Sequence, residues 1–277
     1  MPAIGIDSTN PDSGELLLLS GRDLQALLKP ALVIEALQQT YEQLAANRAD
    51  QGKSLAFVLE GGSAHVKAGL LPGSRSALAA KVNVNLPGNG QARQLPTIQG
   101  VVVLADTMTG RPLAIMDSMA LTAIRTAATA MLAARYGARP DSRIAAVIGC
   151  GEQARYQIEA LRASFPIAEI RLFDLDDRKA RTLAAAIGMD SMRALPAVSA
   201  AAAVEGADIC ITCTTSKQPV LTEEMPLGAC FIAAMGADNP EKSEIDPRLM
   251  ARARILVDDL EQCAVGPTSP ARSRKVW

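Results

Sequence analysis

The residues Gly149-Cys-Gly151-Glu-Gln-Ala154 stand between an apolar strand-like run, 143–148, and a segment of helical periodicity, 154–165. Their types suit the holding of a pyrophosphate. Gly149 permits a tight turn, Gly151 lets the backbone approach the phosphates, and Ala154 lets the following helix pack close to a sheet. Glu152 and Gln153 complete the turn at the helix start, where free N–H groups and the helix dipole favour an anion. About 20 residues further on, the strand-like Glu169-Ile-Arg-Leu-Phe-Asp174 ends in a carboxylate, the expected spacing for a ribose-binding acid. Asp174 would accept hydrogen bonds from ribose hydroxyls and repel a 2′-phosphate, so NAD(H) is expected in preference to NADP(H). Asp174 also fits a solvated turn in Asp174-Leu-Asp-Asp-Arg178, and Arg178 and Lys179 weaken the repulsion.

Three further side chains could take part in chemistry. Asp238 follows the apolar run Phe231-Ile-Ala-Ala-Met-Gly236, and in open parallel sheets ligands bind beyond the carboxyl ends of strands. There a carboxylate could relay a proton, or could simply form an Asp-Asn-Pro turn. Arg125 lies in a small, uncharged helical segment with no acid within one turn in sequence, and a two-pronged grip on a substrate carboxylate would satisfy it. Lys81 shares one strand face with Asn83 and Asn85, a polar face that could line a cleft or meet water. The Cys210-Ile-Thr-Cys213 pair falls inside a strand-like run rather than at a helix start, so it reads as buried thiols, not a redox pair. The single histidine, His65, reads as a structural or surface residue, and no metal site is expected.

The elements that must position these groups change character midway. Ser20 can cap a helical region that breaks before Pro30 and runs to about residue 49. Strands are expected at 55–59, 65–71, 77–86, 98–105 and 112–116, with Asp106-Thr-Met-Thr-Gly110 closing a hairpin. An alanine-rich helix covers 119–136. From residue 143 short apolar strands (145–148, 170–173, 208–212, 230–235, 255–257) alternate with helical stretches, and 194–203 reads as a small packing helix. This pattern predicts an α/β protein: a Rossmann-type doubly wound parallel sheet plus an N-terminal α+β substrate-binding and dimerisation domain. The expected boundaries are 1–117, 118–262, and an atypical, disordered tail at 263–277.

The 277 residues suffice for two domains; 49% are hydrophobic and 21% charged, with 28 basic and 29 acidic side chains. Near-neutral charge gives no footprint for nucleic acid or an anionic membrane, and no apolar run approaches the roughly 20 residues that span a bilayer. Five cysteines, an odd number in apolar surroundings, suggest a reducing, cytoplasmic compartment. The partner expected is a small molecule.

Lys81-Val-Asn-Val-Asn, Leu95-Pro-Thr-Ile-Gln-Gly, Pro112-Leu-Ala-Ile-Met-Asp117, Arg125-Thr-Ala-Ala, Ile148-Gly-Cys-Gly-Glu-Gln-Ala and Met235-Gly-Ala-Asp-Asn-Pro occur in one order that resembles the ornithine cyclodeaminase/mu-crystallin family. That family includes archaeal-type alanine dehydrogenases and ketimine reductases, and the resemblance covers about residues 16–263. It implies that Lys53, Lys81 and Arg125 bind the substrate carboxylate, that Lys67 lies near the substrate, that Asp238 is the acidic catalytic residue with Lys81 beside the chemistry, and that Arg125 and Thr126 also meet the cofactor. Hydride transfer at C2 of a small 2-imino or 2-keto acid follows, as in a ketimine reductase, a 1-pyrroline-2-carboxylate reductase or an alanine dehydrogenase. The cyclodeaminase, which converts ornithine to proline plus ammonia, must hold a second, cationic amine. It resembles a site with a carboxylate on the strand before Leu70-Leu-Pro72, where this chain has Lys67. The reductase is therefore expected, with the lyase and a catalytically weak crystallin-like nucleotide-binding protein as alternatives. A homodimer formed through the first domain is also implied. Cys263 to Trp277 departs from the family, and a truncated or frame-shifted end is one expectation for it.

Overall fold

The computed structural model describes residues 15–50, 52, 54–73, 76–188, 192–237, 241–258 and 263. They fall into two compact units, drawn from Met1–Lys29 with Gln38–Ile124 and from Pro30–Leu37 with Arg125–Trp277.

The first unit opens with β1 (Leu17–Leu19) and α1 (Gly21–Leu27). Ser20 and Asp23 form a reciprocal capping box: the Ser20 hydroxyl accepts from the Asp23 N–H, and the Asp23 carboxylate accepts from the Ser20 N–H at 2.8 Å. Pro30, fixed in φ and lacking an N–H, starts α2 (Pro30–Ala45). Next come β2 (Ser54–Leu59), β3 (Gly62–Leu71), β4 (Ala77–Asn85), α3 (Asn89–Arg93), β5 (Ile98–Asp106) and β6 (Pro112–Asp117). The sheet order is β1-β6-β5-β4-β3-β2, antiparallel except for the parallel pair β1 and β6. At the β5–β6 turn the Asp106 carboxylate accepts from the N–H groups of Met108 and Thr109, both at 2.8 Å, and Gly110 takes the positive φ. Residues 17–19 thus enter the sheet as a strand that the sequence reading did not contain. Three leucines are too few to show a period, and their partners Ala114–Met116 lie nearly 100 residues away.

The long helix α4 (Ser118–Gly137) leads from the first unit into the second. Asp117 caps it, its carboxylate accepting from the Ala120 N–H at 2.7 Å. Alanines 120, 123, 127, 128, 130 and 134 are buried, and their small side chains permit close packing along most of the helix.

The second unit runs β7 (Ile144–Ile148), α5 (Glu152–Ser164), β8 (Glu169–Phe173), α6 (Asp177–Ile187), β9 (Arg193–Pro196), α7 (Ala200–Val204), β10 (Ile209–Thr212), β11 (Phe231–Ala234) and α8 (Pro247–Arg252). Its five strands are all parallel in the order β11-β10-β7-β8-β9, so the order reverses at β7, the Rossmann-type topology expected. Two sequence expectations fail here. Residues 194–203 are not one helix: Pro196 cannot donate to a helix and disfavours helical geometry at Leu195, so the segment enters the sheet as edge strand β9 before Ser199 caps α7. Residues 255–257 form no strand, and Leu256 and Val257 are exposed.

Candidate functional site

Gly149 leaves β7 with φ +94°, a conformation L side chains rarely adopt. A Cβ there would also lie 2.8 Å from the Cys213 carbonyl oxygen and 2.9 Å from Thr214 Cγ2. Glycine is therefore required twice over, by backbone conformation and by the close approach of the segment after β10. Gly151 differs: a Cβ on it would meet nothing within 4 Å, so the space over the turn is open. Gly151 is the N-cap of α5 and supplies no side-chain cap, which leaves first-turn N–H groups for an anion. Gln153 Oε1 is buried with no hydrogen-bond partner among the described residues. Ala154 is fully buried. Glu152, in the first turn, is exposed.

Asp174 has a second task that spacing did not reveal. Its carboxylate accepts from the Cys150 N–H at 2.8 Å and from the Asp176 N–H at 2.9 Å, fastening the glycine turn to the end of β8. Each carboxylate oxygen retains acceptor capacity for a ribose hydroxyl. Open space over Gly151, an uncapped helix start, the unpartnered Gln153 oxygen and Asp174 beside the turn together fit a dinucleotide.

Beyond the carboxyl ends of β10 and β11, a residue absent from the sequence reading ties the backbone together. Glu244 is 1% exposed; one oxygen accepts from the Thr214 N–H at 2.7 Å and its hydroxyl at 2.8 Å, and the other from the Gly236 N–H at 2.7 Å. Gly236 is pressed so close to Thr214 that a Cβ would meet its carbonyl oxygen at 2.1 Å. No periodicity marks an acid in an irregular segment as buried, so no sequence signal pointed to Glu244. Asp238, two residues beyond Gly236, lies outside the described residues, as does Lys53.

In the first unit Lys81 on β4 pairs directly with Lys67 on β3, and Asn83 with His65. Residues two apart share a strand face, so Lys67, Lys81, Asn83 and Asn85 form one polar row. The Lys81 ammonium donates to Thr122 Oγ1 on α4 at 3.5 Å. Asn83 is held by Ser118, whose hydroxyl donates to its Oδ1 at 2.6 Å, and Gly100 on β5 leaves the space that this amide fills. Asn85 Oδ1 is buried with no partner among the described residues. Arg125, exposed, and Thr126 follow Thr122 by three and four positions on α4, the spacing of one helix face. That spacing is the signal that could have found Thr122. Two ammonium groups directly opposite on one sheet face disfavour each other unless an anion joins them.

The cysteines are free. Burial, together with the neighbouring Asp174 charge, pushes the Cys150 thiol up to about 12, and burial pushes Cys230 up to about 12 as well. Cys210 and Cys213 are raised further, chiefly by burial. None of these four is a thiolate nucleophile near neutral pH. His65 is exposed, its Nε2 3.0 Å from the Ser63 hydroxyl.

A doubly wound parallel sheet whose switch-point strand ends in a glycine turn and a clasping carboxylate defines a dinucleotide-binding α/β protein. Residues 24–268 match the Ornithine cyclodeaminase/mu-crystallin family. The chain belongs to that family and is one of its enzymes. It is 32% identical over 254 residues to the alanine dehydrogenase of Archaeoglobus fulgidus, covering 91% of this chain and 76% of that protein. An archaeal alanine dehydrogenase dimer with bound NAD superposes with a TM-score of 0.83 at 31% identity, over 90% of this chain and 76% of the other. The Delta(1)-pyrroline-2-carboxylate reductase of Thermococcus litoralis, in complex with NADH and L-proline, superposes with a TM-score of 0.82 at 30% identity, over 89% and 76%. Among the described residues no helix is long and apolar enough to cross a membrane.

Proposed function

We propose that the chain is an NAD(H)-dependent reductase or dehydrogenase acting at C2 of a small 2-imino or 2-keto acid. The observation that carries this reading is the Lys67–Lys81 cross-strand pair. Two ammonium groups opposite one another on one sheet face suit a carboxylate and oppose the cationic side chain of ornithine, which disfavours the cyclodeaminase.

Gly149, Gly151, Glu152, Gln153 and Ala154 would hold the pyrophosphate at the start of α5, with Asp174 at the ribose and Arg125 and Thr126 as further cofactor contacts. The bound nicotinamide supplies or takes up hydride at the substrate's C2. Lys81 and Lys67, with Lys53 and Arg125, would fix the substrate carboxylate; charge-assisted hydrogen bonds contribute about 1.5 to 3 kcal/mol each, enough to orient a small acid without a deep pocket. Thr122 would hold the Lys81 ammonium at its station. Asp238 would deliver or receive the proton at the substrate nitrogen, and Glu244 would keep the start of its loop in place. The NAD and NADH of the two superposed structures and the proline of one support this assignment.

A homodimer in a reducing cytoplasm completes the reading. One face of the first sheet carries Leu55, Val66, Val82 and Val101 in a continuous cross-strand row, with Leu55 56% and Val101 43% exposed. Such a face suits burial against a second copy.

The test follows NADH absorbance with 1-pyrroline-2-carboxylate, and with pyruvate plus ammonia, while ornithine plus NAD is assayed for proline. NADH consumption with either acid is expected. Proline from ornithine without net cofactor change would put the cyclodeaminase in its place, and cofactor binding without any turnover would leave a crystallin-like binding protein.

A further inference from the structure

On the face of the first sheet that carries Lys81, two consecutive cross-strand pairs of β3 and β4 make a block of four polar side chains: Lys67 opposite Lys81, and His65 opposite Asn83. Directly opposite residues hold their Cβ atoms about 5 Å apart, and residues two apart along a strand stand about 7 Å apart. The block is rich in donors. The Lys81 ammonium is stationed at Thr122 Oγ1, 3.5 Å away, whereas Lys67 is exposed. Asn83 Oδ1 accepts from the Ser118 hydroxyl at 2.6 Å, which leaves the amide nitrogen as the group this side chain can offer a ligand. His65 Nε2 stands 3.0 Å from the Ser63 hydroxyl, so Nδ1 remains for another partner. The residues that flank the block in register are Ser54 and Ala56 on β2 and Val102 and Gly100 on β5, none of them charged.

We propose that the substrate is a diacid: a 2-imino or 2-oxo acid of four or five carbons whose distal carboxylate is held by Lys67, with the Asn83 amide and His65 beside it, while Lys81 holds the carboxylate next to C2. The inference rests on the reading of the lysine pair as a carboxylate site and adds that the substrate brings two. One carboxylate between two opposed ammonium groups leaves a net positive charge on the sheet face, and like charges directly opposite one another are unfavourable. Two carboxylates cancel both. They also match the block in size, because the carboxylates of such a diacid lie about 5 Å apart, one cross-strand spacing. The reaction balances as for a monoacid: the 2-oxo diacid, ammonium, NADH and a proton give the amino diacid, NAD+ and water, with C2 reduced and the C2–oxygen bond replaced by C2–nitrogen.

The test compares kcat/KM at constant ionic strength, with NADH and ammonia, for oxaloacetate and 2-oxoglutarate against pyruvate, and with NADH alone for 1-pyrroline-2-carboxylate, the amino acid product being identified each time. At least one diacid is expected to exceed pyruvate by about 30-fold, and Lys67→Gln to lower that ratio about 30-fold. The diacid with the larger advantage sets the chain length. Unreactive acids give a second readout: against pyruvate turnover, succinate or glutarate should inhibit at about 30-fold lower concentration than butyrate, and added salt should narrow the gap. A monoacid turned over as well as either diacid, or a diacid-to-pyruvate ratio that Lys67→Gln leaves unchanged, overturns the proposal and leaves the imino or keto acid reading standing. No turnover of any of these acids by a protein that binds NADH overturns both.

Discussion

The two sheets solve opposite problems. The five-stranded parallel sheet is sealed by its own helices: every residue of β10 and four of the five residues of β7 are buried. In the six-stranded sheet every residue of β2 is exposed, and Val82 and Val101 on the inner strands are 40% and 43% exposed. A parallel sheet arises with crossover helices and so brings its cover with it, whereas an antiparallel sheet can be built with one face left for another layer. The second unit therefore stores stability and the glycine turn, and the first offers surface: an exposed apolar face, proposed to meet a second copy, and the Lys67–Lys81 pair, proposed to hold a substrate.

Substitutions sharpen that contrast. The largest effect is expected from Val82→Glu, which would bury an unpaired charge in the proposed dimer face at a cost of about 3 to 5 kcal/mol. Light scattering should report a monomer that still binds NADH. An unchanged dimer would place the interface elsewhere. Gly149→Ala in the sealed unit should cost about 3 kcal/mol, from the positive φ and the 2.8 Å approach to Cys213 together, and should lower both thermal midpoint and cofactor affinity. Native-like melting and binding would show that the turn relaxes.

Lys81→Ala should cost about 100-fold in kcat/KM, near 2.7 kcal/mol, with NADH affinity unchanged. A matching loss of NADH binding would move Lys81 from the substrate to the cofactor. The smallest effect is a pH dependence. The Cys150 and Cys230 thiols are raised to about 12, so the folded state holds protons that the unfolded chain releases. The stability this contributes is fully present below the ordinary thiol value of about 9 and is lost as pH rises toward about 12. Denaturation midpoints measured from pH 8 to 11 should fall, and a thiol reagent at pH 8 should react slowly with these two cysteines until the protein is unfolded.

Much of this was legible in the chain, and for identifiable reasons. The glycine turn, α5 and Asp174 were readable because a strand, a tight turn and a helix are local events with fixed spacing. Lys67 and Lys81 sit on strands of clear period, so their face could be inferred, although their direct pairing depends on the β3–β4 register. What escaped was non-local or irregular. The pairing of β1 with β6 joins distant segments, and β9 hides around a proline in an alanine-rich stretch that reads as helix. The 255–257 run has strand-like composition and no strand. Glu244 could not be singled out because its partners, Thr214 and Gly236, meet it only in the folded chain. Spacing marks Asp174 as a candidate ribose ligand, and nothing in that spacing marks its backbone clasp.

The central claim is hydride transfer at C2 of a small imino or keto acid, and isotope transfer tests it most directly. The protein would be given NADH deuterated at the nicotinamide C4 with 1-pyrroline-2-carboxylate, and with pyruvate plus ammonia, and the product examined by NMR. The account predicts deuterium at C2 of proline or of alanine. An amino acid carrying no deuterium from either face of the labelled cofactor, or no amino acid at all from a protein that binds NADH, would contradict it.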